Sequence, residues 1–289
     1  MSAGENARLI TVGDNCLDVY VDRNTMAVGG NALNVAVQWH RAGRNARYFG
    51  AVGQDSEAKV LLEDVANAGL SVDDVERRTG KTAVTLLRES NGDRQFLLED
   101  LGVGRGYLPS DDCFADLSRA DWVHLGTHSN SELVRRLVSH RIPFSIDVST
   151  RPFDLPLEGV PLVFASGPED PAQTVAPLVE ALLASGAQRA VVTCGGRGAF
   201  FSDRTVLQAV PARRIPVVDT CGAGDSFIAR FISAFCIEGQ SPVDAMTAAT
   251  RAAADTCQHK GGFPQDLRET PAWLHAKYAS IIDAAKENF

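Results

Sequence analysis

Short apolar runs separated by segments of helical period place the tightest limit on what this chain can become. Leu9–Gly13, Ala46–Val52, Trp122–Leu125, Phe144–Val148, Leu162–Ala165 and Ala190–Thr193 are of strand length and mostly apolar. Between them, Asn31–Arg41, Glu57–Ala68, Leu133–Ser139 and Ala172–Ser185 carry helical spacing; in the first, Leu33, Ala36, Val37 and His40 share one side. That alternation predicts an α/β fold whose parallel sheet is wrapped by helices. The last third is predicted mostly helical, over Ala223–Ile237, Pro242–Gln258 and Pro271–Lys286. With 289 residues and 45% hydrophobic content, the chain suffices for one large core and at most a small appended unit.

Two stretches break the rhythm. Leu17–Val28 and Thr82–Glu99 alternate as β-structure, and Asn91-Gly92 is a hairpin turn signal with Gln95–Leu98 as its return strand. A hairpin outside any βαβ unit predicts a small separate sheet. Ligands of open α/β sheets bind beyond the carboxyl ends of the strands, so residues 17–28 and 82–99 are expected to form a lid there. The exposed edge of such a sheet is a place where a homodimer would form.

Composition removes several classes of function. The formal charge is −8, and no basic cluster exceeds a pair such as Arg213-Arg214, so a nucleic-acid partner is not expected. The six cysteines, Cys16, Cys113, Cys194, Cys221, Cys236 and Cys257, show no C-x-x-C spacing and no metal-binding set with histidine. Together with a polar start over Met1–Arg8 and no apolar run of about 18 residues, this predicts a cytoplasmic protein without a membrane partner.

The most informative stretch is Val217–Phe227, which contains Asp219-Thr220-Cys221-Gly222-Ala223-Gly224-Asp225. An apolar run ends at Asp219, a Gly-rich turn follows, and Phe227, Ile228, Phe231, Ile232 and Phe235 mark a helix. At Gly222, Ala223 and Gly224 the backbone N–H groups of a helix N-terminus can face outward and receive phosphate oxygens. Asp225, in the first turn, is placed to take a proton from an attacking hydroxyl. Taken alone, Gly-x-Gly-Asp serves equally as a packing junction with a dipole-compatible Asp. Gly29-Gly30-Asn31-Ala32-Leu33-Asn34 is a second such segment: glycines admit a ligand to the backbone and Asn amides both donate and accept. Alone, it too reads as a capped helix start, with Asn31 as cap and Asn34 a solvated first-turn residue.

The longer string Asp219–Asp225 resembles the second signature of the ribokinase (phosphofructokinase-B) family of sugar kinases, and Gly29–Asn34 resembles that family's Gly-Gly-x-x-x-Asn segment. The likeness runs from about Leu9 to about Gly262. It implies a ribokinase-like three-layer α/β/α sandwich with a mainly parallel sheet and a β-sheet lid, one domain over residues 1–289. It also implies ATP and Mg²⁺, a small sugar or sugar-amine as acceptor, and Asp225 as base. The sugar would be held by Asp14, Asp18, Gly29, Gly30, Asn31 and Asn34, of which Asp14 and Asp18 are also candidate turn residues. Thr193, Gly195, Gly196 and Gly198, with Gly224, would line the nucleotide site, though Thr193–Gly198 also suits a hairpin turn.

One departure stands out. The family's Asn-x-x-Glu motif, which organises Mg²⁺ and its waters, corresponds here to Ser166-Gly167-Pro168-Glu169, so Glu169 is kept and Ser replaces Asn. Asp219 and Gly261 match positions for a monovalent cation such as K⁺. Within the family, Val12–Tyr20, Gly29–Val37 and Ala223–Ala229 are similar to the fructoselysine 6-kinase branch, which implies phosphorylation of the 6-hydroxyl of a fructosamine. The alternatives are a kinase of another sugar or a nucleoside, or a silent sugar- or nucleotide-binding sensor. No P-loop, protein-kinase or dinucleotide signature is present.

Overall fold

The computed structural model describes residues 6–90, 93–149, 151 and 154–287. The chain opens with β1 (Arg8–Val12), an antiparallel pair β2 (Cys16–Tyr20) and β3 (Thr25–Gly29), and helix α1 (Asn31–Arg41). It continues through β4 (Asn45–Val52), α2 (Ser56–Asn67), β5 (Val75–Arg77) and a second pair, β6 (Val84–Ser90) and β7 (Asp93–Asp100). Then come α3 (Asp111–Leu117), β8 (Trp122–Leu125), α4 (Ser131–Ser139), β9 (Phe144–Asp147), β10 (Leu162–Ser166) and α5 (Ala176–Ala184). The remainder is β11 (Ala190–Thr193), β12 (Ala199–Ser202), β13 (Leu207–Val210), α6 (Ala223–Ile232), α7 (Pro242–Thr256), β14 (Arg268–Glu269) and α8 (Ala272–Glu287).

Nine strands form the main sheet in the order β13-β12-β11-β10-β9-β8-β1-β4-β5. It is parallel from β11 to β5, and β12 alone runs against the others, pairing antiparallel with both β11 and β13. Helices cover both faces, which is why its strands read as apolar runs rather than alternations. On one face Phe114, Leu133, Leu137, Val179 and Leu182 of α3, α4 and α5 pack on Ile10, Val123, Ile146 and Val163. On the other, Val35 and Trp39 of α1, Phe227 and Phe231 of α6 and Met246 of α7 pack on Leu9, Phe164 and Val191.

β8 and β11 have the bounds their apolar runs predict, but two helices differ. The segment predicted as a helix from Ala172 begins only at Ala176, with Pro177 in its first turn. Upstream, Asp170 accepts the N–H of Ala172 and holds those residues in a turn. The long helix expected to Ile237 leaves α-geometry at Ser233 and closes with a π-helical turn, in which the Glu238 N–H reaches the Ser233 carbonyl.

A second, five-stranded sheet has the order β14-β3-β2-β6-β7 and contains the two stretches that break the helical rhythm. The Asn91-Gly92 turn lies outside the described residues. This sheet is not a free flap. Leu17, Val19, Val28, Val84 and Leu86 share a core with α1, α2 and α8. Its β3 edge is occupied by β14, and Gln265 bonds both the N–H and the carbonyl of Val28, at 3.0 and 2.8 Å. Helix α8, uninformative as sequence, buries Leu274, Tyr278 and Ile282 against it, and Lys277 pairs with the buried Glu57 of α2. Replacing Leu274, 1% exposed, with Ala is therefore expected to cost about 2–5 kcal/mol, measured by urea denaturation.

Candidate active site

Helices α1 and α6 pack together, and the indole N–H of Trp39 donates to the Ala229 carbonyl at 2.9 Å in their buried interface. Asn31 and Asn34 lie three residues apart on α1 and so share a face. That face meets Asp225 in the first turn of α6. The Asn31 amide donates to one Asp225 carboxylate oxygen and the Asn34 amide to the other, each at 2.6 Å.

Asn31 is fully engaged. Its second amide hydrogen goes to Asp147 Oδ2 at 2.9 Å, and its Oδ1 accepts the Thr127 N–H at 3.2 Å. A contact with a sugar hydroxyl would require it to release one of these bonds. Asn34 is 3% exposed rather than solvated, and its Oδ1 has no partner among the described residues. Asp14 receives the N–H groups of Asn31 and Ala32, at 2.7 and 3.2 Å, and so caps α1 from the loop after β1. The residue at the N-cap itself, Gly30, cannot do this. Its φ is 114°, and a Cβ there would fall 2.5 Å from the Asn15 Cα. Asp18, on β2, is buried, accepts the Cys16 thiol at 3.1 Å and lies against Gly29 at the end of β3.

At the head of α6, Gly222 takes a left-handed conformation with φ 69°, and a Cβ would sit 2.3 Å from the Gly262 Cα. The N–H of Ala223, one of the three amides expected to be open, is turned back to the Thr220 carbonyl at 3.3 Å. Those of Gly222, Gly224 and Asp225 have no partner among the described residues. Beside Gly224 opens a cavity of about 740 Å³. Thr193, Gly195, Gly196, Gly198, Ser166 and Glu169 line it, as do Arg213, Arg214, Thr250 and Cys257, to which the sequence assigns no role at this site.

A profile described as pfkB family carbohydrate kinase matches residues 4–138 and 162–266. The chain belongs to that family. The fructosamine kinase FrlD of Bacillus subtilis is 34% identical over 266 residues, covering 89% of this chain and 93% of the relative. The fructoselysine 6-kinase of Escherichia coli K12 is 32% identical, covering 88% and 99%. Among solved structures, the ribokinase of Arabidopsis thaliana complexed with ribose and ATP superposes with a TM-score of 0.78 at 19% identity, covering 96% and 99%. The fold is thus ribokinase-like. As a carbohydrate kinase, the enzyme moves a phosphoryl group from ATP to a sugar hydroxyl.

In this kinase three carboxylates converge on the Asn31 turn. Burial above all, and then the charges of Asp147 and Asp14, push Asp225 up to about 8, against the lowering effect of the two Asn hydrogen bonds. Burial pushes Asp147 up to about 6 and also raises Asp14. Asp147 was not apparent in sequence. Its one signal is position, an acidic residue at the carboxyl end of a parallel strand.

The cavity suits a nucleotide tail: small residues form much of its wall, and the space beyond Gly196 and Gly224 is open. Arg197 donates to the Pro168 and Asp170 carbonyls, both at 2.8 Å, and so fixes the loop carrying the exposed Glu169. Asp219 and Gly261, apart in sequence, are joined directly: Asp219 accepts the N–H of Cys221 at 2.9 Å and of Gly261 at 3.0 Å. Among the described residues no group of three or more His, Cys, Asp or Glu is arranged to hold a metal ion, no cysteine forms a disulfide, and no helix is long and apolar enough to cross a membrane.

Two outcomes follow from this geometry. Gly224→Ala is expected to fold with wild-type melting, because its Cβ meets nothing within 4 Å, whereas Gly222→Ala is expected to melt well below wild type. The second concerns pH. An Asp whose pKa is raised by folding binds its proton more tightly in the native state, so its stability is fully present below about pH 4 and is lost as pH rises through about 8. The melting temperature of ligand-free Asp225→Asn minus that of wild type should therefore grow between pH 5 and pH 9, as read by differential scanning fluorimetry. A flat difference would mean that Asp225 titrates normally.

Proposed function

We propose that this kinase phosphorylates the 6-hydroxyl of a fructosamine, a ketose joined to an amino-acid amine, with Asp225 as base. The observation that carries the mechanism is the Asp225 carboxylate, gripped on both oxygens by α1 amides beside open N–H groups of the α6 N-terminus. The acceptor oxygen attacks the γ-phosphorus, its proton passes to Asp225, and ADP leaves with the electron pair of the broken P–O bond. A carboxylate with a raised pKa is a stronger base than one in water, which suits it to an alcohol. Gly222 and Gly224, with the Asp225 N–H, meet charge gathering on the γ-phosphoryl oxygens.

On the acceptor side, Asp18 and the backbone around Gly29-Gly30 hold sugar hydroxyls, and Asn34 Oδ1 offers a further acceptor. The small sheet acts as the lid over them. Thr193–Gly198 and Gly224 line the ATP site. Mg²⁺ would be held by the phosphates with Glu169 through water, neutralising phosphate charge; Ser166 in place of Asn leaves that carboxylate in position. The Asp219–Gly261 tie is the place for a K⁺ effect, read by comparing turnover in K⁺ and in tetramethylammonium. Phe96, 61% exposed on the edge strand β7, supports a homodimer through the lid, and six cysteines that form no disulfide among the described residues support a cytoplasmic setting.

The fructosamine assignment is supported by relatives at 34% and 32% identity that are named for that chemistry. A coupled ADP-release assay with fructoselysine, fructose, ribose and adenosine is expected to give the highest kcat/KM with fructoselysine. Preference for a free sugar or nucleoside would overturn the substrate, and no turnover on any acceptor would favour a sensor. Asp225→Asn is expected to lose roughly 10²–10⁴-fold in turnover with its fold intact; wild-type turnover in that variant would remove Asp225 from the mechanism.

A further inference from the structure

Asp147 ends β9, is 6% exposed, and bonds both its own turn at Ser149 and the Asn31 amide. Oδ1 accepts the Ser149 N–H at 2.7 Å. Oδ2 accepts the Ser149 hydroxyl at 3.1 Å and the Asn31 amide at 2.9 Å. Ser149 adopts φ 45°, a value uncommon outside glycine, so this turn is held against its own preference. The Ser149 carbonyl in turn accepts the N–H of Ser166 at 2.8 Å, and Ser166 lines the nucleotide cavity.

An amide nitrogen carries two hydrogens. In Asn31 one serves Asp225 and the other Asp147, while Thr127 pins the oxygen. The ring of contacts leaves the amide one orientation, and Asp147 is the member that fixes it from the main sheet. We propose that Asp147 is a positioning residue: through Asn31 it holds the Asp225 carboxylate in place, and its own negative charge keeps that carboxylate a strong base. The inference rests on the reading of Asp225 as the base. The other titratable group acting on Asp225 is Asp14, from the loop after β1, and His128 acts on Asp14 in turn. Burial and Asp147 together account for much of the upward push on Asp225.

The test is Asp147→Asn, which keeps an oxygen for the Asn31 amide but removes the charge. The acid limb of kcat/KM against pH reports the base of the free enzyme. It is expected to move to lower pH by about one unit, with KM for the sugar little changed, and Asp147→Glu is expected to move it back. A purely structural Asp147 would lower the plateau without moving the limb, and an unmoved limb in folded Asp147→Asn overturns the proposal. A second measurement needs no variant. Carboxyl ¹³C titration of ligand-free wild type is expected to show both Asp147 and Asp225 bending at two shared inflections, whereas two independent single-step curves would refute the coupling. The two readings fail separately. Wild-type turnover in Asp225→Asn removes the base itself, while an inactive Asp225→Asn beside an unmoved limb in Asp147→Asn removes only the coupling.

Discussion

The site depends on one contact, that of α1 with α6. It brings two amides from one helix onto a carboxylate at the start of another, 194 and 191 residues away in the chain. Each amide bond favours the ionised carboxylate, and burial with two neighbouring carboxylates opposes it. The balance leaves a group that is held rigidly yet gains a proton readily. Rigidity comes from outside the site: the Trp39–Ala229 bond and the apolar packing of Val35 on α1 with Phe227 and Phe231 on α6 set the helix spacing to which the amides conform.

The proposed nucleotide side is organised differently. It is built from loops, tied by charged side chains that bond backbone groups rather than by apolar packing. Arg197 holds the Glu169 loop through two carbonyls, and Asp219 joins the Gly-rich turn to the Gly261 loop. Such ties fix the loops around a cavity whose walls are largely small residues, which suits it to the phosphate groups of the proposed nucleotide site. The two halves meet at Ser149, which bonds Asp147 on one side and Ser166 on the other.

Much of this arrangement was legible in sequence, for identifiable reasons. Doubly buried strands announce themselves as apolar runs, so β8 and β11 emerge with their observed bounds. The Gly-rich turns were legible because glycine is written where the backbone or a close neighbour allows nothing else, as at Gly30 and Gly222. Asp147 was obscure because its significance lies in a partner 116 residues away, and nothing local separates it from any other strand-end carboxylate. Asn31 is a similar case: spacing shows that it faces the site, not that its hydrogens already serve Asp147 and Asp225. The late start of α5 reflects a local competitor, the Asp170 turn, that periodicity alone does not weigh.

The way the small sheet is completed bears on how the polypeptide matures. Val28 is bonded by Gln265, 237 positions further along, and β3 gains its outer neighbour only from Arg268–Glu269. As the nascent chain leaves the ribosome, β3 therefore keeps an unsatisfied flank through most of translation. The small sheet is completed late, and a prematurely terminated product would carry a sticky strand beside the proposed acceptor site.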